Sequence, residues 1–148
     1  PAGVLLATCQ IAGANNDTVV PFTVSNTGVL TAGATQNVGF DIGMGEVSAE
    51  GVFYVGELVN AQIRAFTVNN AGVLTALANS PFSSPGGSGQ VRLDPSGKLV
   101  FSAPFGVGSL ATNVRQSDSS LVPGTGSPFT DNLSDPFVYD FFRVDFQP

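Results

Sequence analysis

Few side chains in this 148-residue chain can do chemistry: eleven are acidic, five are basic, one is a cysteine and none is a histidine. The lack of histidine removes the commonest general base, nucleophile activator and zinc ligand together. Cys9 has no histidine to deprotonate it, so a Cys–His nucleophile pair is excluded. It lies in the apolar run Val4–Ile11 and reads as a buried, inert thiol, with a bridge between subunits as the sharper alternative. The densest acidic group is Asp131, Asp135, Asp140 and Asp145. Oxygen ligands at close spacing suit Ca²⁺, but neither the EF-hand spacing nor a Gly-Asp nonapeptide is present, so solvated turn aspartates are expected. Glu46, Glu50 and Glu57 fall beside strand ends and turns and form no assignable acid–base pair. The Gly-rich stretch Ser84-Pro-Gly-Gly-Ser-Gly89 lacks the lysine of a phosphate cradle and reads as a connecting loop. No catalytic, cofactor-binding or metal-ligating residue is therefore assigned, and no cofactor is expected.

Net charge is −6, and the basic residues Arg64, Arg92, Lys98, Arg115 and Arg143 are scattered. No groove built from them neutralises a phosphate backbone, which excludes nucleic-acid binding, and the same deficit argues against anionic membranes. No apolar run approaches the ~20 residues that span a bilayer as a helix. Low lysine content with many Ser, Thr and Asn residues suits a secreted protein, at the cell surface or outside it. Two glycosylation sequons, at Asn16 and Asn132, are available in a glycosylating host. A start at Pro1 reads as a processed chain, a fragment or an incomplete reading.

The elements that position these residues are strands. Only 11% of residues are charged, while 18 are glycine and 10 proline, a poor composition for long helices and a good one for short strands and tight turns. With 43% hydrophobic residues in regular clusters the chain has enough apolar surface for one core. Repetition is the main signal. Phe22-Thr-Val-Ser-Asn-Thr-Gly-Val-Leu-Thr-Ala32 returns 44 residues later as Phe66-Thr-Val-Asn-Asn-Ala-Gly-Val-Leu-Thr-Ala76, with nine of eleven positions identical. Asn79-Ser80-Pro81-Phe82 returns as Gly126-Ser127-Pro128-Phe129, and Leu93-Asp-Pro-Ser-Gly97-Lys-Leu-Val-Phe101 matches Val47-Ser-Ala-Glu-Gly51-Val-Phe-Tyr-Val55. The Gly-containing segments are turns, and the short runs Val4–Cys9, Val52–Val55 and Leu99–Phe101 read as strands buried on both faces. Four antiparallel strands every ~45 residues is the length of a propeller blade.

These motifs resemble the lactonase-type seven-bladed β-propellers and related surface-layer propeller repeats. The residues carrying the resemblance are Val91-Arg-Leu-Asp-Pro-Ser-Gly-Lys-Leu-Val-Phe101, Phe66-Thr-Val68 through Leu74-Thr75, and Ser80-Pro81-Phe82. The resemblance implies an all-β fold of three four-stranded antiparallel blades, and Phe22, Leu30, Phe66, Leu74 and Leu121 are expected to be buried at equivalent places. Lactonase sites combine carboxylates or histidines with polar groups, and no such set carries over by position, since the shared motifs are turns and core residues.

The expected organisation is one repeat domain with units over 1–38, 39–82 and 83–129 and a surplus strand over 137–146. The frame is circularly shifted: the first unit lacks its innermost strand, and Phe137, Tyr139, Phe141, Phe142 and Phe146 make an extra aromatic strand. Three blades do not close a normal ring of about four to eight. The expectation is that this strand completes the first unit of another copy beside Val4, Leu5 and Leu6. The leading functional reading is a secreted, non-enzymatic structural protein that forms rings or filaments from copies of itself. The alternatives are a fragment of a lactonase-like seven-bladed enzyme, or a lectin-like oligomer that binds carbohydrate.

Overall fold

Apolar residues at alternate positions, punctuated by Gly, Asn and Ser turns, leave the chain little choice but short paired strands. The computed structural model describes residues 3–10, 16–39, 41–104 and 108–130, and no helix occurs among them. Among the described residues fourteen strands run in chain order. The first group is β1 (Gly3–Cys9), β2 (Asp17–Val24), β3 (Leu30–Ala32) and β4 (Gln36–Gly39). The second is β5 (Ile42–Val47), β6 (Val52–Glu57), β7 (Gln62–Val68), β8 (Leu74–Ala76) and β9 (Phe82–Ser83). The third is β10 (Gln90–Leu93), β11 (Leu99–Ala103), β12 (Ser109–Arg115), β13 (Leu121–Pro123) and β14 (Phe129–Thr130).

Within each group the strands pair antiparallel with their sequence neighbours, and the outermost position is shared by two short strands. Thus β3 and β4 both pair with β2, β8 and β9 with β7, and β13 and β14 with β12. The first group has no innermost strand among the described residues, and the surplus strand expected over 137–146 lies outside them. The innermost strands of the second and third units, β5 and β10, meet in parallel through Gln90 and Met44.

Local chemistry explains the breaks and turns. Asn69 Oδ1 accepts from the amides of Ala71 and Val73, and Ser25 Oγ accepts from those of Thr27 and Val29. Gly28 and Gly72 then take φ of 80° and 78°, which a side chain would oppose. The Ser-Pro-Phe motif splits the outer strand: Ser80 Oγ accepts from Ala65 N–H and Ser127 Oγ from Thr112 N–H, in place of a backbone carbonyl. The Asp94 hairpin is one residue longer than its Ser48 counterpart, because Asp94 N–H reaches Leu99 O whereas Ser48 N–H reaches Val52 O. Beyond Gly97 the motif match therefore shifts by one, and Val100 rather than Leu99 takes the place of Phe53.

The cores lie between units. Val19, Val38 and Leu6 of the first unit meet Phe53, Val55 and Phe66 of the second. On its other side, Val52, Tyr54, Ile63, Ala65 and Phe82 meet Val91, Val100 and Leu121 of the third. The alternation along β6 supplies both faces, so every residue of that strand is buried. Several burial expectations need correction. Phe66 (7% exposed) and Leu121 (6%) are core residues, but Phe22 and Leu74 are half-buried and Leu30 is 51% exposed. β1 is half-buried to exposed along its length, and Cys9 is exposed rather than buried. The reason is position: the middle unit is covered on both faces, whereas the described residues cover only one face of the first.

Candidate functional site

Polar burial is concentrated at one end of the sheets. Among the described residues, six of the eight buried polar side chains (Asp17, Glu57, Ser84, Ser88, Gln90 and Ser102) lie where β2 and β10 begin, where β6 and β11 end, or in the connection entering β10. In an antiparallel unit these points share one edge, so the chain order gathers them at a single face.

Asp17 is fully buried, and its Oδ2 accepts from Ile42 N–H at 2.7 Å, tying the first unit to the start of β5. Glu57, 1% exposed, closes β6, and Arg64 Nη2 donates to its Oε1 at 3.1 Å. Glu57 Oε2 and Arg64 Nε have no hydrogen-bond partner among the described residues. Arg64 lies across Gly39 of the first unit, where an added Cβ would come within 2.5 Å of its Nε. Ser88 Oγ is within 2.8 Å of Glu57 O and 2.6 Å of Gln62 O, and Ser84 and Ser102 hydroxyls meet at 2.5 Å beneath Gly87 O. The serine hydroxyls are satisfied within the seams and read as structural, whereas the Glu57–Arg64 pair keeps one buried polar atom on each side without a partner among the described residues.

Asp41 is different. It is half-buried in the connection entering β5, adopts φ of 52°, and has its carbonyl held by Leu58 N–H at 2.8 Å. Its Oδ1 accepts from the Nε2 of Gln10, in the connection leaving β1. A left-handed conformation at a non-glycine residue is uncommon, and here it presents a carboxylate at the polar end beside an orienting amide. Such a group can accept a substrate hydroxyl or take a proton from water. Its only sequence signal is its place just ahead of an innermost strand.

The singled-out glutamates do not converge. Glu46 Oε2 accepts from Leu93 N–H at 2.8 Å, linking β5 to β10. Glu50 pairs with Arg115 at 2.9 Å at the opposite end, and its carboxyl is held low by hydrogen bonds to backbone and Ser48, with Arg115 adding to them. Among the described residues no three His, Cys, Asp or Glu side chains gather to hold a metal ion. Val4 and Leu6 are half-buried on β1 and Leu5 is 49% exposed, while Asn16 is exposed. Phe137, Tyr139, Phe141, Phe142, Phe146, Asn132 and the acidic group Asp131 to Asp145 lie outside the described residues.

No protein-family model matches the sequence, and no curated protein matches it. Solved structures do. A putative 6-phosphogluconolactonase from Bacteroides fragilis aligns over 84% of this chain and 38% of its own, with TM-score 0.63 and 16% identity. One from Bacteroides uniformis aligns over 82% and 39%, with TM-score 0.61 and 13% identity. The periplasmic gluconolactonase of Pseudomonas aeruginosa aligns over 82% and 40%, with TM-score 0.59 and 19% identity. The chain thus has the fold of the lactonase-like β-propellers and spans about two fifths of the length of these structures. That finding corrects two expectations. The non-enzymatic structural reading, and with it the statement that the chain is not an enzyme, give way to the lactonase-like alternative, because these three structural neighbours carry lactonase names. The missing histidine misled: it removes one catalytic vocabulary but leaves carboxylate chemistry open.

Proposed function

We propose that this chain is a section of a lactonase-like β-propeller that hydrolyses sugar lactones at the polar end of its sheets. The observation that carries the reading is the alignment of more than four fifths of the chain with three structures that carry lactonase names, at TM-scores of 0.59 to 0.63. The chemistry required is modest. Water adds to the lactone carbonyl, the ring C–O bond breaks, and the products are a carboxylate and a hydroxyl, with a base accepting the proton of the attacking water. Asp41, oriented by Gln10, is the described carboxylate best placed to do this. Secretion to an extracellular or cell-surface location is part of the proposal and rests on composition alone.

The test is hydrolysis of glucono-δ-lactone followed by pH-stat, against the spontaneous rate in the same buffer. The expected result is a protein-dependent rate that falls about 10²- to 10⁴-fold in Asp41→Asn, the range for loss of a general base. A folded β-rich preparation that adds nothing to the spontaneous rate would overturn the proposal.

A further inference from the structure

We infer that Arg64, held by Glu57 and seated over Gly39, binds the lactone carbonyl oxygen as it becomes negative and then the carboxylate of the product. This rests on the lactonase reading of the polar end and adds a residue to it. The fold brings Arg64 to the connection that carries Asp41. Glu57 stands opposite Ile42, and the next amide, of Leu58, donates to Asp41 O at 2.8 Å. Gly39 pairs with Asp17, whose Oδ2 accepts from Ile42 N–H. Arg64 reaches this corner from β7. A Cβ at Gly39 would come within 2.5 Å of its Nε and 3.0 Å of its Cζ, so the guanidinium fits because that residue is glycine.

The bonding of Arg64 differs from that of an arginine that only ties strands together. Arg115, at the opposite end, donates both to Glu50 and to Gly97 O at 2.9 Å, and its side chain is 12% exposed. Among the described residues Arg64 donates to Glu57 Oε1 alone, at 3.1 Å, although its side chain is 30% exposed. A two-bond fork would also use Glu57 Oε2, yet that oxygen and Arg64 Nε both lack a partner there. Glu57, 1% exposed, is too deep to touch a substrate and is a positioning residue. One bond fixes the guanidinium and leaves its other N–H groups to donate to an anion.

Lactone hydrolysis supplies that anion twice. Asp41 takes one proton of the water as its oxygen bonds to the carbonyl carbon, and the carbonyl pair shifts to its own oxygen. Arg64 donates to this oxyanion. The pair then re-forms the carbonyl, the ring C–O bond breaks, and the ring oxygen leaves with the proton that Asp41 held. The carboxylic acid so formed ionises, and Arg64 holds the carboxylate. A guanidinium keeps its charge throughout, which suits it to this task.

The test has two arms. Arg64→Met combined with Glu57→Leu removes the pair without stranding a buried charge and leaves Asp41 and Gln10 in place. With glucono-δ-lactone, kcat is expected to fall about 10²- to 10³-fold with KM little changed. In the unaltered chain, sodium gluconate is expected to shift the Arg64 Nε–H resonance saturably and leave that of Arg115 unmoved, while sodium chloride at equal ionic strength moves neither. This second arm decides by itself where the double variant does not fold. A double variant with the original kcat, a loss confined to KM, or an Arg64 resonance indifferent to gluconate overturns the inference. If the unaltered chain adds nothing to the spontaneous rate while gluconate still titrates Arg64, the hydrolysis reading falls and the carboxylate site stands. If Asp41→Asn abolishes hydrolysis and the double variant does not, the reading stands and the inference falls.

Discussion

At the scale of single residues, the side chains that matter most are polar ones inside the seams. Tyr54 is fully buried, and burial pushes its phenol up, only partly offset by the hydrogen bond to Ser119 and by Arg115. A phenol whose folded pKa lies above the unfolded value near 10 keeps its proton longer in the native state, so the folded state binds more protons at high pH. Stability is therefore intact below about pH 10 and falls as pH climbs through the folded pKa. Tyr54→Phe should cost about 0.5–1.5 kcal/mol at pH 7, because Ser119 O loses its donor, and should flatten the alkaline loss in a urea titration from pH 8 to 11. A parallel alkaline slope in the variant would show that another group titrates. Arg64→Met strands the Glu57 carboxylate in the seam and should cost about 3–5 kcal/mol by chemical denaturation. Adding Glu57→Leu should recover most of that, since an apolar pair of similar size needs no desolvated charge. On the acid side, Asp118 is held low by the Ser120 hydroxyl and amide, so its contribution is present above the usual carboxylate range and lost as pH falls.

At the scale of elements, close approach between units depends on glycine at particular strand positions. A Cβ on Gly56 would meet Ser88 O at 1.3 Å, and one on Gly43 would meet Gly89 O at 1.7 Å. Both partners are backbone atoms at the meeting of the second and third units, and they cannot swing aside. Gly56→Ala and Gly43→Ala should each destabilise by at least about 3 kcal/mol, whereas Gly3→Ala, with nothing within 4 Å, should stay within about 0.5 kcal/mol. Thermal melts of the three variants decide it, and a mild Gly56→Ala would mean that the seam is looser than the strand spacing implies. The Ser-Pro-Phe motif also works at this scale. Its serine hydroxyl replaces one backbone acceptor, which lets the outer strand break and resume without an orphaned amide.

At the scale of the whole molecule, stability is graded by how many neighbours a unit has. Phe66 packs against Phe53 with ring centroids 6.5 Å apart and is covered by the first unit, while its repeat partner Phe22 is only half-buried. Phe66→Ala should cost about 3–5 kcal/mol and Phe22→Ala clearly less, measured by denaturant midpoints under identical conditions. Equal losses would mean that the first unit is covered in solution. The third unit departs from the pattern in another way. Asn113 stands opposite Val100 where Phe66 stands opposite Phe53 and is fully buried, and its side-chain amide has no hydrogen-bond partner among the described residues. The sequence match is weakest in that copy, and Asn113 is where the weakness reaches the core.

Periodicity and turn chemistry decide local structure, and those were legible directly. The repeat of Phe22–Ala32 at Phe66–Ala76, the Gly turns and the Ser-Pro-Phe motif specify strand order and the all-β class, because each depends on residues near one another in the chain. Burial was not legible in the same way. Leu30 and Leu74 sit in nearly identical sequence, yet one is exposed and the other half-buried, since what covers them is a different unit rather than a neighbouring residue. The extra residue in the Asp94 hairpin, which puts Asn113 in the core, also emerges only from the hydrogen-bond register. The candidate site follows the same rule. Gln10 and Asp41 are 31 positions apart and carry no motif; only the folding of two connections onto one end of the sheets brings an amide to that carboxylate.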